Sequence, residues 1–141
     1  VFIKRILGMT DDIIDSNNTD YVMRRIREKY LEDSTVTICL IGKCTWSRRY
    51  VDWEIKSSLL YGNGLLGIIL PSAGINYTLP ERLSKNIHGE NGDEGYASYY
   101  DYPRRKDSLA FWIDTAFNAR LTKTHLIINP RDRFINNRPC S

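Results

Sequence analysis

Val36-Thr37-Ile38-Cys39-Leu40-Ile41 is an unbroken, mostly β-branched run that stops at Gly42. A strand with one wet face would alternate apolar and polar residues. This one is apolar on both faces, which suits a central strand of a parallel sheet covered on both sides. Working forward, Val51, Ile55 and Leu59 recur at four-residue steps and predict a helix that ends before Gly62-Asn63-Gly64. Leu65 to Leu70 is then a second buried strand, stopped by Pro71. The stretch from Ser72 to Gly95 is rich in Gly, Asn, Pro and charge and reads mostly as loop. Tyr96 to Tyr102 reads as a third strand, its tyrosines as core and cross-strand pairs. Ser108 can cap a helix with Phe111, Ile113, Ala116 and Phe117 facing inward. Beyond Thr122 the chain turns polar, through Asn129-Pro130-Arg131-Asp132-Arg133, and reads as a surface tail.

Working backward, Val22, Met23, Ile26 and Tyr30 predict an amphipathic helix over Tyr21 to Leu31, with Thr19 as its N-cap. Gly8 to Asp20 is an acidic loop, and Val1 to Leu7 is either the end of a helix or a fragment of a first strand. Helices alternating with strands build a parallel α/β sheet. Three strands make a thin one. A first strand is therefore missing before or within the opening segment, or the chain is part of a longer one.

Length and composition agree with a single domain over residues 1–141, with 42% hydrophobic and 26% charged residues. These values exclude a disordered tail, a collagen-like repeat and a disulfide-dense module. The net charge of +3 comes from scattered cations, and the cluster Arg24, Arg25, Arg27, Lys29 shares its helix with Glu28 and Glu32. It reads as a solvated face, so no nucleic-acid partner is expected. Cys39, Cys44 and Cys140 form no metal-ligand spacing and read as free thiols in a reducing compartment, Cys39 as a small core residue. Neither a signal peptide nor an apolar run approaching ~20 residues is present, which points to a cytoplasmic protein with no membrane partner. His88 and His125 lack carboxylates at metal spacing and read as surface residues, so no metal is expected.

In open α/β sheets ligands sit outside the carboxyl ends of the strands. That selects Gly42-Lys43-Cys44-Thr45-Trp46-Ser47-Arg48-Arg49, between the most apolar strand and its helix. Ser47 reads as the N-cap, which puts Arg48 and Arg49 in the first turn, where the helix dipole disfavours cations. Either Arg48 pairs with Asp52, or the helix start and its arginines meet an anion such as a pyrophosphate. Glu54 lies roughly 100° from Ile55 on a helical wheel, beside the apolar face. It is either a rim carboxylate pairing with Lys56 or Arg49, or a carboxylate pointing into the crevice. No GxSxG, GxGxxG or GxxxxGK[ST] motif is present, and a phospho-receiver would need an aspartate where this strand ends in Gly42. Flavin binding has only fold analogy behind it.

Asp33-Ser34-Thr35-Val36-Thr37-Ile38-Cys39-Leu40-Ile41-Gly42, followed by Thr45-Trp46-Ser47-Arg48-Arg49-Tyr50-Val51-Asp52-Trp53-Glu54-Ile55, resembles the TIR-like domain family typified by ThsB of the bacterial Thoeris antiphage system. The similarity runs on through Gly64 to Ile68 and Leu79 to Leu83, and covers about Asp11 to Pro139. It implies a flavodoxin-like/TIR-like three-layer fold, a central parallel β-sheet flanked by helices. Five strands are implied, and only Val1-Phe2-Ile3 can stand for the first, so part of the N-terminal strand and loop is expected to be missing. The resemblance further implies an enzyme that cleaves NAD at the nicotinamide–ribose bond and makes a cyclic ADP-ribose-type signal for a separate effector protein. Glu54 matches the family's catalytic glutamate, and Gly42, Thr45, Trp46, Ser47 and Arg49 would line the substrate. NAD is then substrate, with no cofactor. A non-catalytic scaffold that self-associates through TIR-like surfaces is the alternative.

Overall fold

The computed structural model describes residues 3–7, 35–89 and 94–140. Four strands form one all-parallel sheet in the order β1 (Ile3–Leu7), β2 (Val36–Ile41), β3 (Gly64–Ile69) and β4 (Ser98–Asp101). The opening apolar stretch is therefore a strand, paired with β2 so that Leu7 lies opposite Cys39. Ile41, Ile69 and Asp101 stand in one row across β2, β3 and β4 and mark the carboxyl edge.

Helix α1 (Arg49–Leu60) follows β2, α2 (Glu81–Ile87) precedes β4, and α3 (Lys106–Thr122) follows it. The steps β2 to β3 and β3 to β4 cross the sheet in the same direction. Right-handed crossovers then place α1 and α2 on one face. There Cys39, Ile41, Leu65 and Ile69 meet Val51, Ile55, Leu59 and Leu83. On the other face Val36, Ile38, Leu66 and Ile68 meet Ile113 and Ala116 of α3. The arrangement has three layers, and the period-two alternation of each strand divides its side chains between two cores. α1 ends as its sequence predicts: Tyr61 closes it and Gly62 takes φ 67°, a left-handed conformation that glycine adopts without a Cβ penalty.

Four expectations need correcting. The loop over residues 72–95 contains α2, whose inward positions Arg82 and Asn86 are buried polar residues, so no apolar period announces it. Ser108 lies inside the first turn of α3 and Arg105 is the N-cap. Phe111 is 69% exposed, because two residues from Ile113 is roughly 200° around the helix. The segment after Thr122 is a strap bound along α1 rather than a loose surface tail, with Phe134 buried beneath it. The expected loop over Gly8 to Asp20, the Thr19 cap, the helix over Tyr21 to Leu31 and its basic cluster lie outside the described residues. Among the described residues no helix is long and apolar enough to cross a membrane.

Candidate functional site

The chain leaves β2 at Gly42, whose amide donates to Thr45 Oγ1 at 2.8 Å. Thr45–Ser47 forms one 3₁₀ turn, in which the buried Ser47 hydroxyl donates to the Cys44 carbonyl at 2.7 Å. Ser47 is thus committed one residue too early to cap α1. The N-cap is Arg48, which makes no side-chain cap bond. Asn137 takes over that task from the strap, its Oδ1 accepting from the Arg49 amide at 2.9 Å. The Arg49 guanidinium donates to the Ile135 carbonyl at 3.1 Å and lies over the Tyr50 and Trp53 rings. The Arg138 amide donates to the Ser47 carbonyl at 2.8 Å. The turn and helix start expected to meet an anion are covered by the strap, and Trp46 is half-buried beside them.

Cys44 and Cys140 are joined in a disulfide across a sequence separation of 96, so only Cys39 keeps the free thiol expected of all three cysteines. The chain brings these two together because the strap returns to the carboxyl edge of β2. Nothing in the local sequence around either cysteine carries that information.

Asp52 does not pair with Arg48. Its carboxylate accepts from Arg82 Nε at 3.1 Å, from Arg131 Nη2 at 2.5 Å and from the Phe134 amide at 2.9 Å. Arg82 extends the network to Asn129 Oδ1 and the Arg131 carbonyl. Burial alone would raise the Asp52 carboxyl, and the hydrogen bonds from Arg131, Arg82 and Phe134 together hold it below its ordinary value. Lys56 is also spoken for, donating to the Asn129 and Arg131 carbonyls.

Glu54 is therefore not a rim carboxylate paired with Lys56 or Arg49. It is 2% exposed, on the flank of α1 between Val51 and Ser58. Its Oε1 has no hydrogen-bond partner, and burial pushes the carboxyl up to about 8. Cys39 of β2 faces it closely enough to feel its charge; burial first, and Glu54 second, raise that thiol to about 12. Ser58 Oγ, one turn on, donates to Thr37 Oγ1 at 2.9 Å and ties this flank of the helix to β2. A buried carboxyl with an open lone pair is poised to bind a hydroxyl or to answer an arriving cation. A cavity of about 590 Å³ opens at the carboxyl ends of β3 and β4, lined by Leu70, Gly74, Asp101 and Tyr102. Glu54 does not line it.

The family model for the TIR-like domain of the Thoeris protein ThsB matches residues 7–74. The chain carries a ThsB-like, TIR-like domain. The match begins at the end of β1 and takes in β2, the Gly42–Ser47 turn, all of α1 with Glu54, and β3. It places this ThsB-like domain in antiphage defence signalling. The resemblance noted beyond residue 74, with α2, β4, α3 and the strap, lies outside the matched span. No curated protein and no solved structure matches the chain. Among the described residues of the ThsB-like domain, no group of His, Cys, Asp and Glu could hold a metal ion, and His88 and His125 are both exposed.

Proposed function

We propose that this ThsB-like domain cleaves NAD at the nicotinamide–ribose bond and closes a cyclic ADP-ribose-type product, a diffusible signal to a separate effector protein. The observation that carries the reading is Glu54, a carboxyl buried within the matched span and left with one oxygen unpartnered. Cleavage moves the C1′–N bonding pair onto the nicotinamide nitrogen and neutralises its positive charge. An oxocarbenium-like ribose remains, which a carboxylate stabilises. Burial by itself favours the neutral acid. The pyridinium of NAD is a cation, and its approach favours ionisation, so the charged form arises with the substrate in place. Nicotinamide is a good leaving group, and no metal is required. Cyclisation needs a nucleophile of the same substrate to outrun water, which an enclosed site favours. Gly42, Thr45, Trp46 and Arg49 are assigned to substrate contact, and Ser47, whose hydroxyl is committed to the Cys44 carbonyl, to shaping the turn.

The depth of Glu54 is also what favours the second reading, a self-associating scaffold whose carboxyl never meets a ligand. Incubation with NAD separates the two, with nicotinamide release and product masses followed for wild type and Glu54→Gln. Release by wild type alone supports the enzyme. Equal release by both removes Glu54 from the chemistry. No release by wild type from phage-challenged cells supports the scaffold.

A further inference from the structure

The strap is held at two places by different chemistry. Upstream, Asn129, Arg131 and Phe134 are locked into the buried Asp52–Arg82 network, and Trp53 Nε1 donates to the Phe134 carbonyl at 2.5 Å. Downstream, residues 135–139 are exposed, and their end is held by the backbone and side-chain bonds to Ser47 and Arg49, by an exposed Arg138–Glu81 ion pair at 3.7 Å, by the Arg138 guanidinium over the Phe134 ring and by the Cys44–Cys140 bond. No apolar side chain of residues 135–139 is buried to keep that end in place.

We propose that the Cys44–Cys140 disulfide is a redox latch: it fastens Ile135–Cys140 across the Gly42–Ser47 turn and the start of α1, and a dithiol reductant releases it. Both cysteines are half-exposed, so a reductant can reach the bond. One reductant thiolate attacks one sulfur, the Cys44–Cys140 bond breaks and a mixed disulfide forms. The second reductant thiol resolves it. The protein gains two electrons and two protons as two thiols, and the reductant leaves as its own disulfide. A few hydrogen bonds, the exposed Arg138–Glu81 pair and the Arg138–Phe134 stacking, all in competition with water, then oppose the conformational entropy of the freed backbone. Release gives up the Arg49 amide and the Arg49 guanidinium, two donors suited to an anionic group at a helix start, and frees the Ser47 carbonyl to water. Arg49 is thus withheld from a ligand while the latch is shut. The opening itself does not rest on the NAD reading; only the identity of the ligand admitted does.

The test is amide hydrogen exchange on the full chain, oxidised, treated with dithiothreitol, and as Cys140→Ser. Opening predicts that protection of the Arg49 and Arg138 amides falls about tenfold or more, while the Phe134 amide and the α1 interior keep theirs. Unchanged exchange at Arg49 and Arg138 overturns the latch. So does loss of Phe134 protection in step with Arg138, because the strap would then peel as one piece. Three titratable thiols in the untreated protein also overturn it. Nicotinamide release measured on the same samples separates the two proposals: exchange that responds without any release in either state counts against the NAD reading and leaves the latch standing.

Discussion

Asp52 and Arg82, thirty positions apart, meet as a two-pronged ion pair in which the side chains are 4% and 2% exposed. Arg131 adds a third charge from the strap. This one carboxylate joins α1, α2 and the strap. Removing one partner of a buried pair leaves the others charged and unmatched, at a cost of about 3–5 kcal/mol. Asp52→Asn should lower the urea midpoint accordingly with an unchanged m-value. Arg131→Met, whose partner keeps Arg82, should cost less. Equal stability of Asp52→Asn and wild type would show that the network contributes nothing.

Two carboxyls give the domain opposite pH responses. Asp52 is held below its ordinary value, so its contribution is present above the unfolded pKa near 4 and is lost as pH falls through the folded one. Glu54 is raised to about 8, so the folded state keeps a proton that the unfolded state has already released. Stability attributable to Glu54 is full below about 4.5, falls as pH rises toward 8, and is flat above. Glu54→Gln should remove this decline and make the protein more stable than wild type at pH 8, by roughly a few kcal/mol. Denaturant titrations at pH 5, 7 and 8.5 check this (values chosen to bracket the transition at about 8). A wild-type curve parallel to that of Glu54→Gln across this range would refute the burial cost.

The parallel sheet was legible because β2 and β3 are apolar on both faces and stop at Gly42 and Pro71. α1 was legible because Val51, Ile55 and Leu59 keep a helical period. Those signals are local. The depth of Glu54 was half legible: the wheel put it beside the apolar face, yet Lys56 and Arg49 looked free to pair with it. They are not, because the strap engages both. The strap itself escaped because its anchors are polar. Asn129 and Arg131 look like surface residues, and their partners on α1 and α2 stand 47 to 79 positions away. α2 escaped for the same reason, its buried face being carried by Arg82, Leu83 and Asn86.

Gly64 opens β3 directly beneath α3, and a Cβ there would stand 2.5 Å from the Ala116 carbonyl oxygen and 2.8 Å from its carbon. Backbone cannot swing aside as a side-chain tip can. Gly64→Ala should force α3 away from the sheet and cost about 1–3 kcal/mol. The thermal midpoint should drop by several degrees, with fluorescence of Trp112, stacked on Tyr100 at 4.2 Å, reporting the displaced helix. Gly74→Ala is the informative contrast. No atom lies within 4 Å of its Cβ position, so any loss there comes from its φ of 76° alone.

The Cys44–Cys140 bond closes a loop with a sequence separation of 96, spanning β2 to the end of the strap. In the unfolded chain a cross-link of that span removes conformational freedom worth about 4–5 kcal/mol in the chain-entropy model, an upper figure for a real denatured ensemble. Cys44→Ser/Cys140→Ser should therefore unfold at markedly lower denaturant than the oxidised wild type, with a larger m-value, because its unfolded state exposes more surface. Dithiothreitol should bring wild type onto the variant's curve and leave the variant unmoved. The m-value separates two sources of the loss. If stability falls with m unchanged, the disulfide acts on the folded strap and not on the unfolded chain. If both change, the chain-entropy account holds and the folded core beneath Phe134 is intact in either redox state.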